Sequence, residues 1–417
     1  MPDPGPAPDA AALAGVFRAE HGRVVATLTR YLGSIALAED AAQEAYVVAL
    51  EAWPRSGLPP NPGGWLVTTA RRKAIDRLRR ESVRDAKHEQ AHLLLAHQDP
   101  EEQGPPSGVV DDRLRMIFTC CHPALEPAAQ VALTLKVLGG LSTAEVAAAF
   151  LVEEAAMAKR LTRTRQKIAA ARIPYRVPAD AELPGRVRGV LATVYLMYNE
   201  GYLPGGAEAV ATRPELTAEA IRLARLVVEL MPDEPEAVGL LALLLLTEAR
   251  RPARVVDGVL VPLAEQDRSR WDRASIAEGH ALVRACLRRD RPGRYQLLAA
   301  INAVHTDASR AGATDWAQVV ALYDQLYAVE PTAVVGLNRA VALAERDGAA
   351  AGLAALDALP GRSALDRYHP LHATRAELLR RTGHRAAAAA AYGRALELVT
   401  NPAERRYLEA RRADLVG

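Results

Sequence analysis

The chain of 417 residues has room for about two to four domains. It is 50% hydrophobic and 24% charged, an ordinary globular balance that excludes wholesale disorder. The net charge of +2 excludes a uniformly basic or acidic chain, and aromatics at only 5%, with Ala and Leu abundant, favour helices over sheets.

Residues 1–11 begin MPDPGPAPDA, hold four prolines and are expected to be disordered. They carry neither the basic nor the apolar stretch of a signal peptide. A helical pattern then runs from Leu13 to Leu32, with Leu13, Val16, Phe17, Val24, Leu28 and Leu32 near one face. Gly33-Ser34 breaks it. A second helix is expected from Leu37 to Trp53, mixing acids with small apolar residues, and Pro54 is expected to end it. The loop PRSGLPPNPGG does not suit a helix. A third helix starts near Trp65, with Trp65, Leu66, Thr69, Ala70, Ala74 and Leu78 as its apolar stripe. Arg71, Arg72, Lys73, Arg77, Arg79 and Arg80 occupy the rest of its surface.

Residues 86–110 are acidic and then Pro/Gly-rich, and read as a linker. Helical patterning resumes over 111–175. In GLSTAEVAAAFLVEEAAMAKRLTRTRQKI, Ser142 or Thr143 can cap a short helix over Ala144–Phe150. Leu151-Val152 turns the chain, and Glu153–Ala170 forms a longer helix. Met157, Leu161 and Ile168 would face inward, and Lys159, Arg160, Arg163, Arg165 and Lys167 outward. That is a helix-turn-helix, whose second helix enters the major groove.

Charge sharpens this picture. Residues 71–87 carry 8 basic and 3 acidic side chains, and residues 159–172 carry 6 basic and none acidic. The segment between them carries 3 basic and 10 acidic. Two short basic helices in acidic surroundings look like two separate polyanion contacts. Two solvated helix faces would carry the same charge. A basic helix behind a rigid Pro/Gly loop can also hold an unpaired strand, the loop pocketing an extruded base.

Pro174 and Pro178 mark a boundary. Residues 180–417 read as Ala/Leu-rich helices with a degenerate repeat. ELMPDEPEAVGLLAL at 229–243 parallels VEPTAVVGLNRAVAL at 329–343. Leu356 follows Leu322 by 34 residues, and Tyr392 follows Tyr323 by 69. A period of about 34 residues is tetratricopeptide (TPR) spacing. A non-repeating helical bundle is the alternative. The longest uncharged apolar stretch, Ala237–Leu246, is ten residues and too short to span a bilayer.

The order of segments carries a resemblance. LAEDAAQEAYVVALEAW, then NPGGWLVTTARRKAIDRLRR, then a linker, then a helix-turn-helix ending LTRTRQKI resembles regions 2 and 4 of bacterial sigma factors of the extracytoplasmic-function (ECF) group. FTCCHPAL, YLMYNEGY, EQDRSRWDRASIAEG and LYDQL followed by LNRAVA resemble a subgroup with a long TPR-like extension. The resemblance implies an all-α chain with sigma region 2 over 12–85, region 4 over 111–175 and a regulatory C-terminal domain over 180–417. It implies that Glu39, Asp40, Gln43, Glu44 and Tyr46 dock on the clamp helices of the polymerase β′ subunit. The loop Pro54–Gly64 would accept a flipped −10 base. Trp65, Thr68, Thr69, Arg71, Arg72, Asp76, Arg77 and Arg80 would line the melted −10 strand. Lys159, Arg160, Arg163, Arg165 and Lys167 would meet the −35 duplex. The implied partners are core RNA polymerase, through its β′ clamp helices and β flap, and promoter DNA, with a regulatory protein or peptide on the extension. No membrane partner, cofactor or catalytic residue is implied, and a cytoplasmic location is.

Other features invite weaker readings. Cys120-Cys121-His122, with His88 and His92, lacks a four-ligand metal pattern, and a buried helix end explains it. Three cysteines form no disulfide framework, and Cys286 reads as core. Tyr198–Tyr202 reads as a helix end with Gly201 left-handed, or as a ligand or partner site. No nucleophile–base spacing, phosphate loop or HExxH is present, so an enzyme is not expected. Two other functions compete. A helix-turn-helix regulator with a TPR sensor would bind duplex without polymerase. A TPR scaffold would leave the acid-free helix at 159–172 unexplained.

Overall fold

A computed structural model describes residues 10–82, 107–150, 152–179, 181–202 and 214–416. Residues 1–9 of the expected disordered stretch 1–11 and residues 86–106 of the expected linker 86–110 lie outside the described residues, whereas 10–11 and 107–110 are helical. The described chain is all-α apart from one two-stranded hairpin. It divides into two compact units, residues 1–196 and 197–417. The division falls inside one helix, and the boundary expected at 175–180 lies in the turn leading to it.

In the first unit, α1 (Ala10–Leu32), α2 (Ile35–Ser56) and α3 (Pro62–Ser82) pack on one another. Four aromatics form the contact between them. Phe17 stacks on Tyr46 at 4.7 Å, and Trp53 meets Trp65 at 5.2 Å. Such pairs contribute about 0.5–1.5 kcal/mol each beyond their area burial. Leu66, Ala70 and Ala74 are buried as their spacing predicts. Two boundaries differ from expectation. Pro54 does not end α2, because only its own N–H is lost near the last turn and Trp53 O is still capped by Gly57 N–H. Gly57, at φ +77°, is the actual stop. The third helix starts at Pro62, not Trp65, because Asn61 caps it: Gly64 N–H donates to Asn61 Oδ1 at 3.0 Å.

Next come α4 (Ser107–Cys120), α5 (Pro127–Val137), α6 (Thr143–Ala149) and α7 (Glu154–Ala170). A reciprocal capping box opens α6. Ser142 N–H donates to Glu145 Oε2 at 2.7 Å, and Glu145 N–H to Ser142 Oγ at 3.1 Å. Met157 and Leu161 bury as expected, whereas Ile168 is half-buried. α8 (Leu183–Tyr202) begins in this unit, where Thr193 Oγ1 donates to Gln130 Oε1 at 3.0 Å.

The second unit takes the end of α8 and runs through α9 (Pro214–Leu230), α10 (Pro235–Glu248), α11 (Arg273–Arg289) and α12 (Arg294–Asp307). It continues with α13 (Trp316–Val329), α14 (Ala333–Asp347), α15 (Ala349–Asp357), α16 (His369–Arg381), α17 (Arg385–Leu398) and α18 (Pro402–Val416). Successive helices pack as neighbours. From α13 onward alternate helices open at Trp316, Ala349 and Arg385, steps of 33 and 36 residues. α10 is apolar all round and buried, so it forms the centre. A segment between α10 and α11 interrupts the helices with β1 (Val255–Val256) and β2 (Val259–Leu260). Asp257 and Gly258, both at positive φ, make its turn. Gly201 is not left-handed. The helix continues to Tyr202, where Tyr198 and Tyr202, one turn apart, stack at 5.5 Å and are buried.

Candidate nucleic-acid interface

The expected strand-binding face lies along α3. Thr68, Arg72, Lys73 and Asp76 are exposed, and Trp65, Thr69 and Arg71 are half-buried. Trp65 is committed to Trp53, and Thr68 Oγ1 donates back to Gly64 O at 2.9 Å. Arg71 lies 4.7 Å over the Tyr31 ring, which presents its cation along α1. The side chains of Arg77 and Arg80 lie outside the described residues. The preceding loop is tied at its base, because Arg23 donates to Asn61 Oδ1 at 2.9 Å. A Cβ on Gly63 would sit about 2.2 Å from Glu20 and 2.3 Å from Arg23. Sequence reasoning passed over Asn61, Arg23 and Tyr31, although Asn before Pro at a helix start is a capping signal.

The helix-turn-helix presents Lys159, Arg163 and Lys167 to solvent on α7. Arg160 is half-buried, 5.6 Å over the Phe150 ring. These cations can grip phosphates or reach base edges.

The acids of α2 divide. Asp40 and Gln43 are exposed, and Glu44 is half-buried. Tyr46 is buried, its hydroxyl 2.9 Å from His21 Nδ1, and burial pushes its pKa up. Glu39 is also buried, and Arg165 of α7 reaches it at 2.6 Å. An expected polymerase contact and an expected DNA contact are therefore bound to each other. Burial raises the Glu39 carboxyl above the usual carboxylate range, while Arg165 and Lys136 lower it by less. Glu39, Asp40 and Gln43 line a polar cavity of about 520 Å³ with Lys136, Glu145 and Arg165.

Further contacts join α1–α3 to α4–α7. Arg18 meets Glu145 at 2.6 Å. Arg30 meets the buried Asp112 at 3.1 Å. The Tyr175 hydroxyl, just past α7, lies 2.6 Å from Ala26 O on α1 and 3.0 Å from Asp112 O on α4. Gly22 on α1 lets the backbone of Leu138 approach, since a Cβ there would sit 2.9 Å from Leu138 O. No spacing rule pairs residues 126 or 149 positions apart, so the sequence carried no signal for these contacts.

Cys120 and Cys121 close α4 with both thiols buried, and burial pushes both up. Among the described residues no three His, Cys, Asp or Glu side chains gather as a metal site. His88 and His92 lie outside them. No helix among the described residues is long and apolar enough to cross a membrane.

Residues 16–84 match sigma-70 region 2, and residues 115–168 match sigma-70 region 4. Residues 186–287 match a family of unknown function, DUF6596. An uncharacterized protein of Rhizobium meliloti (strain 1021) is 41% identical over 93% of this chain and 92% of its own. The ECF RNA polymerase sigma factor SigK of Mycolicibacterium vanbaalenii is 28% identical over 33% of this chain and 70% of its own. No solved structure matches. With α1–α3 forming region 2, the helix-turn-helix forming region 4, and the two in this order, the chain belongs to the ECF group of the sigma-70 family.

Proposed function

We propose that this protein is an initiation factor that binds core RNA polymerase and selects promoters by capturing the −10 strand and gripping the −35 duplex. The exposed acids of α2 suit a basic partner helix. The loop before α3 receives an extruded base, and the cations of α3 follow the phosphates of the melted strand. Unstacking costs a few kcal/mol per base, offset by pocketing and phosphate contacts. Lys159, Arg160, Arg163 and Lys167 hold the −35 element. No bond is made or broken in this scheme, so the protein acts as a binding factor in the cytoplasm and not as an enzyme.

The observation that carries most is the Glu39–Arg165 ion pair. It covers one group needed for polymerase and one needed for DNA. The packed arrangement is then a closed state, and initiation requires regions 2 and 4 to separate. The C-terminal unit, whose 33- and 36-residue helix spacing supports a TPR-like reading, is the regulator of that opening, through a bound protein, peptide or small molecule.

In vitro transcription with core polymerase and a promoter library tests the scheme. Specific transcripts that depend on the added protein are expected, and Asp40→Lys with Glu44→Lys should abolish them together with core binding. Sequence-specific duplex binding with no polymerase association would instead identify a helix-turn-helix regulator and overturn the proposal.

A further inference from the structure

Twelve of the described arginines of the C-terminal unit meet acids. Arg225 binds Glu278, Arg294 meets Glu330 at 2.8 Å, and Arg411 binds Glu265. Arg250, Arg254 and Arg268 do not. All three are half-buried, and none has a carboxylate at ion-pair distance among the described residues. Arg250 donates to Asn302 Oδ1 at 2.5 Å, and its Nε has no partner. Arg254 lies 4.5 Å over the Tyr202 ring, and its Nε likewise has none. Arg268 lies 4.5 Å over Trp271 and donates to the carbonyls of His305 and Ala308 at 2.6 Å. Among the described residues only neutral partners meet these three half-buried like charges, which is unfavourable unless an anion is supplied.

A cavity of about 430 Å³ opens beside this cluster, lined by Arg268, His305, Trp316, Tyr323, Asn338 and Glu345 with aliphatic side chains between them. That volume is in the range of small-ligand sites. Its one lining carboxylate, Glu345, is already bound to Arg381. Burial, Arg250 and Arg268 push His305 down to about 4, so it is neutral at physiological pH. Trp316 packs edge-on against His305 at 5.3 Å. The segments 195–202, 265–279 and 322–342 were legible as motifs but had no role in promoter binding. The last two meet at the cavity, through Arg268, Tyr323 and Asn338.

We propose that this cavity binds a small aromatic carboxylate, its carboxylate held by Arg268 and Asn338 and its ring against Trp316 and Tyr323. The one lining guanidinium, with Nε and Nη2 left over from the carbonyl contacts of its Nη1, matches a single carboxylate. The aromatic and aliphatic remainder of the wall suits a flat apolar body. Arg250, whose charge acts on both His305 and Arg268, deepens the positive potential. The site does not depend on the promoter-binding reading and is testable without polymerase.

The experiment is calorimetric titration of the full chain at fixed ionic strength with benzoate and indole-3-acetate. Their neutral amides, benzamide and indole-3-acetamide, and inorganic phosphate serve as comparisons. At least one acid should bind at least tenfold more tightly than its amide and than phosphate. Arg268→Gln should weaken it at least tenfold. Because Arg268 also ties two carbonyls, Trp316→Leu and Asn338→Leu are measured in parallel, with circular dichroism confirming the fold, and each should weaken binding by a similar factor. Equal binding of acid and amide, binding of phosphate alone, no binding of either acid, or folded variants that bind as the wild type does would each overturn the assignment.

Discussion

Removing the two partners of the Glu39–Arg165 pair should have opposite consequences. Arg165→Met leaves a carboxylate that is 7% exposed with no ion-pair partner. Breaking a fully buried pair costs about 3–5 kcal/mol, and an exposed one about 0–1. With 22% of the Arg165 side chain still in water, about 2 kcal/mol is expected, or ~30-fold toward the open state. Glu39→Gln removes the charge instead. Burial raises the Glu39 carboxyl by more than Arg165 and Lys136 lower it, so the closed state prefers the protonated form, and glutamine imitates that form. The closed state should therefore hold or tighten. For the wild type, protonation favours closure fully below the ordinary carboxylate range, and that advantage is lost as pH rises through the raised value. Fluorophores on cysteines placed at Glu51 and Thr162, both exposed, report the separation of α2 from α7. The three native cysteines are buried and should not compete for label. Arg165→Met should lower energy transfer at pH 7. Glu39→Gln should keep it high and flatten its rise on acidification. Equal opening by both variants, or by neither, would refute the assignment of burial as the dominant cost.

Other expectations follow from the same contacts. Tyr175→Phe removes a hydroxyl shared by two carbonyls and should open the closed state by about 1 kcal/mol, ~5-fold, tightening core binding by a similar factor. Unchanged core affinity despite increased opening would count against closure as a brake. Gly22→Ala should force Leu138 away at a cost of about 1–3 kcal/mol, read as earlier loss of amide-exchange protection where α1 meets the 138 turn. Arg163→Ala should weaken −35 duplex binding about equally across sequences and lower its salt slope by about 1 if Arg163 grips phosphate. A sequence-selective loss would make it a base reader instead.

Much of the candidate surface is readable in the sequence because it rests on local rules. The capping box at Ser142 and Glu145, the inward Met157 and Leu161, and the cations between them follow from helical spacing alone. So does the buried stripe of Leu66, Ala70 and Ala74 beneath the exposed Arg72 and Lys73. Asp257-Gly258 between apolar residues is a hairpin signal of the same local kind, set within a stretch of helical periodicity. At Pro54 and Gly201 a local residue preference is overridden by its surroundings. One lost N–H near a helix end is cheap, and a buried tyrosine pair outweighs the freedom of a single glycine.

What the sequence by itself determined is the set of helices, their charged faces and the order of region 2 before region 4. These depend on residues within a few positions of one another. Only the tertiary structure decided which of those faces are exposed. Glu39 and Tyr46 share a helix with Asp40 and Gln43, and nothing local distinguishes them. Burial, and for Glu39 an arginine 126 positions away, does. The same holds for Arg250, Arg254 and Arg268, which look like any other arginines in the chain. Their distinction is that packing half-buries them and, among the described residues, brings no carboxylate within ion-pair distance, a condition that only long-range placement of charge can create.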